Sequence, residues 1–208
     1  MSRGPLLIVV SAPSGAGKST LCDLLIASRK DIVYSVSCTT RSPRGQERDG
    51  VDYHFLTEDA FERRAVAGEF LEHAVVHDYR YGTLKDTVND VLAGGDSVLM
   101  DIDVQGAEQI RAYVDAAVDD DPVKRAFVDI FVEPPSMDVL RQRLQSRNED
   151  TPEVIEVRLR NAEAEMKHRM RYRHRLVNDD LEQALGRLEA LIREEQGCPP
   201  SADAPLAG

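Results

Sequence analysis

The feature that most constrains this chain is a glycine-rich segment at residues 11–20 (SAPSGAGKST), which lies between an apolar run and an amphipathic stretch. The apolar run at residues 6–10 predicts a buried strand, and the leucines at helical spacing after residue 20 predict a helix. A loop at such a junction can turn its backbone N–H groups toward phosphate oxygens, and the helix adds its positive end. The order of strand, loop and helix is therefore typical of a site for a nucleoside triphosphate.

Individual residues of this loop have separate predicted tasks. Gly15 and Gly17 leave room for phosphates because they carry no Cβ. Lys18 is expected to reach the β- and γ-phosphates, and the Ser19 hydroxyl is expected to ligate Mg²⁺. The pattern G-x-x-x-x-G-K-[ST] begins here with Ala12 in place of glycine, whereas the residues expected to touch ligand are intact. The full predicted phosphate-binding set is Ala12, Pro13, Ser14, Gly15, Ala16, Gly17, Lys18, Ser19 and Thr20.

Composition narrows the classes of function. The 208 residues carry a net charge of −11, which argues against nucleic-acid or anionic-membrane partners because both need a basic face. Three widely spaced cysteines without a C-x-x-C pair predict neither a disulfide framework nor a zinc site. No apolar stretch reaches membrane-spanning length and the N-terminus lacks a signal-like run, so we expect a cytoplasmic protein. The sequence gives no prediction of oligomeric state.

Strands that alternate with helices predict an α/β fold, with a mostly parallel sheet flanked by helices on both faces. The pattern changes to short strands and turns between residues 35 and 95, which predicts an inserted β-rich lobe. Residues 32–40 are expected to form one strand, residues 153–171 one long helix, and residues 113–125 an acidic, loop-like surface insertion. The resulting division is a core (1–34, 96–146 and 172–195), the lobe (35–95), a mobile helical lid (147–171) and a disordered tail (196–208).

Two arginines three residues apart, Arg41 and Arg44, stand in a polar, turn-rich stretch. Each guanidinium can grip a phosphate through paired N–H groups, which a lysine cannot do. Tyr53 and Tyr81 can add hydroxyl donors. Taken alone, the pair is equally well explained as a solvated basic turn.

The chain resembles the guanylate kinases from residue 6 to about residue 191. The segments that carry the resemblance are SAPSGAGKST, SVSCTTRSPRGQERDGVDYHF, GEFLEHAVVHDYRYGT, VLMDIDVQG and VNDDL, in the family's order and at about its spacing. The resemblance implies a P-loop NTPase core, a GMP-binding lobe and a lid. It also implies transfer of the γ-phosphoryl group of ATP to GMP, and to dGMP, with Mg²⁺ as cofactor, in purine nucleotide metabolism.

The resemblance further implies which residues hold GMP. Glu72 is expected to accept from the adjacent N1–H and N2 amino groups of guanine, while the Ser37 or Thr83 hydroxyl donates to O6. Adenine lacks the N1–H, so a buried Glu72 that faced adenine would lose its partners. The full implied set is Ser37, Arg41, Arg44, Tyr53, Glu72, Tyr81, Gly82, Thr83 and Asp103.

Two acids follow a predicted core strand, where open α/β sheets place their sites. Asp101 is expected to hold Mg²⁺ through water, and by the resemblance Asp103 faces the GMP side. The alternative is that both acids serve only the dipole of the following helix.

Three further arginines, Arg143, Arg147 and Arg158, match family residues that close over ATP and the migrating phosphoryl group. Positive charge is needed there because the transition state spreads negative charge over the equatorial oxygens. Asn148 stands where the family usually has glycine. The predicted catalytic set is Lys18, Arg41, Arg143, Arg147 and Arg158.

Two other interpretations stay open at this point. One is a catalytically inactive scaffold with the same fold, which would typically have a degraded phosphate loop. The other is a related kinase that acts on a sugar phosphate, which would lack the guanine-reading residues. The chain carries both the intact loop and the guanine-reading set, so the sequence favours a GMP kinase.

Overall fold

The computed structural model describes residues 4–76, 78–146 and 150–197. The strands in chain order are β1 (Leu7–Ser11), β2 (Ile32–Tyr34), β3 (Cys38–Thr39), β4 (His54–Phe55), β5 (Phe70–Val76), β6 (Tyr79–Leu84), β7 (Ser97–Asp101), β8 (Phe127–Glu133) and β9 (His174–Val177). The helices are α1 (Lys18–Ser28), α2 (Glu58–Val66), α3 (Lys85–Gly94), α4 (Val104–Ala116), α5 (Pro122–Ala126), α6 (Met137–Ser146), α7 (Pro152–Met166) and α8 (Leu181–Glu195), with a 3-10 helix at Lys167–Arg171.

The larger sheet has five parallel strands in the order β2-β7-β1-β8-β9. Every residue of the central strand β1 is buried, because helices cover both faces of the sheet. One apolar cluster joins β1 to α1 and α8, and a second joins it to α3 and α4. The predicted parallel α/β architecture is confirmed.

The smaller sheet has the strand order β4-β3-β6-β5 and packs on α2. The single strand predicted at residues 32–40 is wrong, because the chain pairs with β7 only as far as Tyr34 and joins the smaller sheet from Cys38. Ser37 lies at this crossing, where its carbonyl accepts from the backbone N–H of His54 (2.9 Å). The β-branched residues on either side are compatible with both sheets, so propensity alone does not mark the break.

A side chain of the core helix α4 forms hydrogen bonds with the smaller sheet. Gln109 of α4 accepts from the backbone N–H of His73 (3.0 Å) and donates to the carbonyl of the same residue (2.9 Å). This pair of bonds satisfies both polar groups of His73 on the edge strand β5. The neighbouring residue of that strand is Glu72, which is thereby held against α4.

Two further expectations need correction. Residues 113–125 are not loop-like throughout, because α4 continues to Ala116 and α5 buries Val123 against the core. The helix predicted at residues 153–171 ends at Met166 and continues as the 3-10 turn. The helices α6 and α7 share a small apolar core of their own, formed by Leu140, Leu144, Ile155, Leu159 and Ala162.

The helix ends follow local sequence signals. Thr57 caps α2 by accepting from the N–H of Ala60 (3.2 Å), and Gly95 ends α3 in the left-handed conformation. The boundaries of the core, lobe and lid stay a prediction. Residues 198–208, which make up most of the predicted tail, lie outside the described residues.

Candidate active site

The phosphate loop has a backbone that requires glycine at two positions. Gly15 and Gly17 have φ angles of +90° and +89°, and Gly17 caps the N-terminus of α1. A Cβ on Gly17 would lie 2.4 Å from Nδ2 of Asn178, and one on Gly15 would lie 2.8 Å from Cδ2 of Leu144. Ala12, by contrast, is buried in the core cluster, so the departure from the glycine pattern falls where a methyl group is accommodated.

The carboxyl ends of β1 and β7 bring three polar residues together. Lys18 donates to the carbonyl of Ile102 (2.9 Å) and forms an ion pair with Asp101. The Ser19 hydroxyl donates to Oδ2 of the same Asp101 (3.1 Å). The two strands are adjacent and parallel, so residues 82 to 84 positions apart in sequence meet at one edge of the sheet.

These oxygens fit the chemistry of Mg²⁺. A hydroxyl and one carboxylate are hard oxygen ligands, and Mg²⁺ in phosphate sites takes its other ligands from phosphates and water. Within the part of the chain that the structure describes, no group of three or more His, Cys, Asp or Glu residues forms a metal cluster. Ser19 and Asp101 are the residues here whose side-chain oxygens fit Mg²⁺.

Asn178 and Arg143 support the phosphate loop from the far side. The buried Asn178 amide donates to the carbonyl of Ala16 (2.8 Å), and Arg143 donates to the carbonyls of Asn178 (2.9 Å) and Asp179 (3.2 Å). A cavity of about 280 Å³ opens here beside the loop and is lined by Gly15, Gly17, Thr20, Arg143, Ser146, Asn178, Asp179 and Leu181. Arg143 thus lines the cavity beside the phosphate loop.

The other two predicted arginines are placed differently. Arg158 lies in α7 and forms an ion pair with Asp150 (2.8 Å), near the start of the same helix. Arg147 and Asn148 lie outside the described residues.

Glu72, Ser37 and Thr83 converge in the lobe. Glu72 of β5 lies opposite Thr83 of β6, and the hydroxyls of Ser37 and Thr83 are 3.4 Å apart. Glu72 is only 7% exposed, and its Oε2 lies 3.3 Å from where a Cβ on Gly106 would be. Burial raises the pKa of Glu72 and the charge of Asp103 raises it further, while hydrogen bonds from Thr83 lower it. Glu72 is thus a buried acceptor beside Thr83, whose hydroxyl in turn contacts that of Ser37.

Arg41 lies at the centre of the residues that are predicted to bind the phosphate of GMP. Its guanidinium lies 5.3 Å from the ring centroid of Tyr53, and its Nε donates to the hydroxyl of Tyr81 (3.3 Å). Gly82 beside Tyr81 is tightly packed, because a Cβ there would lie 2.8 Å from the Cβ of His73. The Arg44 side chain is exposed on the turn that follows.

Asp103 caps α4 by accepting from the N–H of Gly106 (2.8 Å), and its carbonyl accepts from the Ser11 hydroxyl (3.3 Å). Asp103 therefore caps a helix in this structure, and its expected contact with GMP stays a prediction. Asp101 precedes the helix and engages Lys18 and Ser19 instead.

One cavity joins the two halves of the site. It has a volume of about 420 Å³ and touches Ser19 and Asp101 on the core side, and Ser37, Tyr53 and Thr83 on the lobe side. A triphosphate held by the loop and a second ligand held by the lobe would therefore face each other.

Comparison with known proteins shows which family the chain belongs to. The sequence profile of the guanylate kinase family matches residues 5–195. The chain belongs to the guanylate kinase family. The guanylate kinase of Anaeromyxobacter dehalogenans is 47% identical over 192 residues, which are 92% of this chain and 81% of that protein. The guanylate kinase of Clostridium perfringens (strain SM101) is 43% identical over 195 residues, which are 94% of this chain and 85% of that protein.

A solved structure of the family gives the same result. The crystal structure of guanylate kinase from Anaplasma phagocytophilum superposes with a TM-score of 0.68 and 32% identity, over 94% of this chain and 88% of that one. This guanylate kinase family member is thus a P-loop phosphotransferase of the nucleoside monophosphate kinase class.

Across residues 4–76, 78–146 and 150–197, no helix is both long and apolar enough to cross a membrane.

Sequence reasoning missed three residues of the site. Glu47 pairs with Arg41, and Gln109 ties the lobe to the core. Glu165 of α7 lies near Ser14 of the phosphate loop, and burial raises the pKa of its carboxylate. Of the three, only Glu47 could have been predicted from the sequence, because it follows Arg44 by three residues in a turn. Gln109 and Glu165 contact segments that are far away in sequence.

Proposed function

We propose that the protein is a guanylate kinase that transfers the γ-phosphoryl group of ATP to GMP, and to dGMP, giving ADP and GDP. The observation that carries the proposal is the shared cavity, which has Ser19 of the phosphate loop and Asp101 on one wall, and Ser37 and Thr83 of the predicted guanine-reading set on the other. This arrangement suits a reaction between a triphosphate and a guanine nucleotide.

Base selection follows from hydrogen-bond chemistry in the lobe. The ionised Glu72 accepts from N1–H and the N2 amino group of guanine, and the Thr83 or Ser37 hydroxyl donates to O6. Adenine presents an unprotonated N1 and an amino group in place of O6, so it leaves the buried carboxylate unpaired. Sites built on such polar pairing reject the wrong base strongly.

The acceptor phosphate is held by Arg41, Arg44, Tyr53 and Tyr81. In the transfer, a phosphate oxygen of GMP forms a bond to the γ-phosphorus of ATP. The bond from that phosphorus to the β,γ-bridging oxygen breaks, and its electron pair leaves with ADP. The acceptor oxygen is already ionised near neutral pH, so alignment and charge neutralisation supply most of the rate without a strong base.

Lys18 and Arg143 neutralise charge on the donor side, and Arg147 and Arg158 are proposed to join them when the lid closes. The Lys18 ammonium, now held by Asp101 and the Ile102 carbonyl, turns toward the β- and γ-phosphates. Ser19, with Asp101 acting through water, would hold Mg²⁺, which supplies further neutralisation of the phosphate oxygens when bound.

The test is a coupled assay for ADP release with ATP and Mg²⁺, with GMP, dGMP, AMP, UMP and CMP offered in parallel. We expect turnover with the guanine nucleotides alone. If no acceptor supports ADP release although ATP binding is measurable, the proposal is refuted, and the scaffold or the sugar-phosphate kinase is favoured. Replacing ATP with other triphosphates, and Mg²⁺ with a chelator, tests the donor and the metal in the same format.

A further inference from the structure

Arg41, the predicted phosphate-binding arginine, already holds a carboxylate. Its side chain is 6% exposed, and its two terminal nitrogens donate to the two oxygens of Glu47 at 2.9 Å each. Nη1 also donates to the carbonyl of Ser42 (2.8 Å), and Nε donates to Tyr81 (3.3 Å). A guanidinium has five N–H groups, so these bonds leave one N–H on Nη2 for a ligand.

The same carboxylate shapes the turn that carries Arg44. Oε2 of Glu47 accepts from the backbone N–H of Arg44 (2.7 Å), and the backbone N–H of Glu47 donates to the carbonyl of Arg44 (3.0 Å). One side chain therefore holds the guanidinium of the first arginine and the backbone of the second.

The charge state of Glu47 is secured by these contacts. The Arg41 guanidinium and the Arg44 backbone N–H lower the pKa of Glu47, and the pairing raises the pKa of Arg41. A bidentate guanidinium–carboxylate pair is rigid and directional, so the plane of Arg41 is set before any ligand arrives.

The contact with Tyr81 shows how the pair serves an acceptor phosphate. Because the Tyr81 oxygen accepts from Nε of Arg41, its own O–H proton is free to point away from the arginine. Arg41 therefore offers one N–H and directs one phenol proton, while Tyr53 stacks below the guanidinium.

We propose that Glu47 is a positioning residue for the acceptor phosphate, one that stays paired with Arg41 during turnover and orients Arg41, Tyr81 and the Arg44 turn. The inference deepens the proposed function and rests on it. Glu47 acts through these neighbours and does not itself contact the reacting atoms.

The test compares Glu47→Gln with wild type in the GMP assay. The carboxamide keeps the size of the side chain but turns an NH₂ group toward one guanidinium nitrogen, so the bidentate pair is lost. We expect KM for GMP to rise about 10- to 100-fold, the loss typical of charge-assisted bonds, with KM for ATP unchanged and kcat changed less than about threefold. Glu47→Asp keeps the charge and should recover part of the affinity.

A second measurement separates positioning from damage to the lobe. Guanosine has the base but no phosphate, so its inhibition constant as a competitor of GMP should be the same in wild type and Glu47→Gln. The matched control is Glu62→Gln, which removes an exposed glutamate paired with Arg80 in the same lobe and should leave all constants unchanged.

The outcomes are distinct. An unchanged KM for GMP in Glu47→Gln overturns the inference, and a lower KM shows that Glu47 competes with the phosphate instead. Equal weakening of guanosine and GMP also overturns it, because the effect then lies in the fold of the lobe. Wild type that does not turn over GMP refutes the proposed function itself, whatever the variant does.

Discussion

Replacing Glu72 with glutamine should reduce activity and raise stability, and this combination is a sharp test of the guanine-reading assignment. In the proposed complex the carboxylate accepts from two guanine donors inside a buried site. The carboxamide oxygen can accept from one donor, whereas its NH₂ group faces the other. One charged hydrogen bond is lost and one buried donor is left unpaired.

The size of the activity loss follows from the burial of Glu72, which is almost complete. A hydrogen bond to a charged group contributes about 1.5–3 kcal/mol, and an unpaired buried donor costs about 1–3 kcal/mol. Allowing for partial relaxation, the expected loss is about 2–4 kcal/mol, or about 30- to 1,000-fold in kcat/KM for GMP. Binding of ATP alone should not change.

The effect on stability has the opposite sign. Burial and the charge of Asp103 raise the pKa of Glu72 in the folded state, so folding disfavours its ionised form. The cost is present above the folded-state pKa and vanishes below the unfolded pKa of about 4.3. Glu72→Gln should therefore raise the free energy of unfolding at pH 7.5, with no gain near pH 4. For the same reason, KM for GMP should increase as the pH falls through the raised pKa.

Steady-state kinetics with GMP and urea unfolding at both pH values measure the two effects. The control is Glu69→Gln, which removes an exposed partner of Arg64 (2.9 Å) and should alter stability by less than about 1 kcal/mol. Unchanged kcat/KM for GMP would refute the base assignment. Lower stability at pH 7.5 would refute the reasoning about the buried charge.

Three further changes test the loop and the core. Lys18→Met should lower kcat at least about 100-fold in the GMP assay, because it removes a charge from the transferring phosphates; retention of a tenth of the activity would contradict this. Gly17→Ala should weaken ATP binding about tenfold or more by calorimetry, because its Cβ would meet Asn178 at 2.4 Å where φ is +89°; wild-type affinity would contradict the close packing of the loop. Asp129→Ala should cost about 3 kcal/mol of unfolding free energy in urea, because it removes a buried carboxylate that pairs with Arg111 (2.6 Å) and accepts from the backbone N–H of Arg173 (2.8 Å); KM for GMP should stay unchanged where the variant is folded. A loss below about 1 kcal/mol would show that this pair contributes little.

Much of the site could be predicted because its signals are local. The residues of the phosphate loop are consecutive, and their backbone angles follow from glycines at fixed positions between a strand and a helix. The caps at Thr57 and Gly95 are also settled within a few residues. The meeting of Ser19 with Asp101 could be expected as well, since adjacent parallel strands end at the same edge of a sheet.

Other parts could not be predicted because they depend on contacts between segments far apart in the chain. The split of residues 32–40 between two sheets depends on which partner strand is available at each end, and both halves are equally suited to a strand. Val123 lies in an acidic stretch that resembles a surface loop, yet it is fully buried in the core cluster that includes residues of α3 and α4. The helix α5 is too short for its amphipathic pattern to predict a helix, and it is stabilised by packing against the core.

By its resemblance to the guanylate kinases the sequence named the residues that could read guanine, and by itself it determined the phosphate loop and the parallel α/β core. Those features depend on short-range backbone geometry and on hydrophobic period, which a single chain displays directly. Only the tertiary structure decided that Glu72 is buried against α4, that Gln109 ties the lobe to the core, and that Glu47 holds Arg41. Burial, charge and hydrogen-bond partners belong to surroundings that the fold assembles, so they become defined only when distant segments meet.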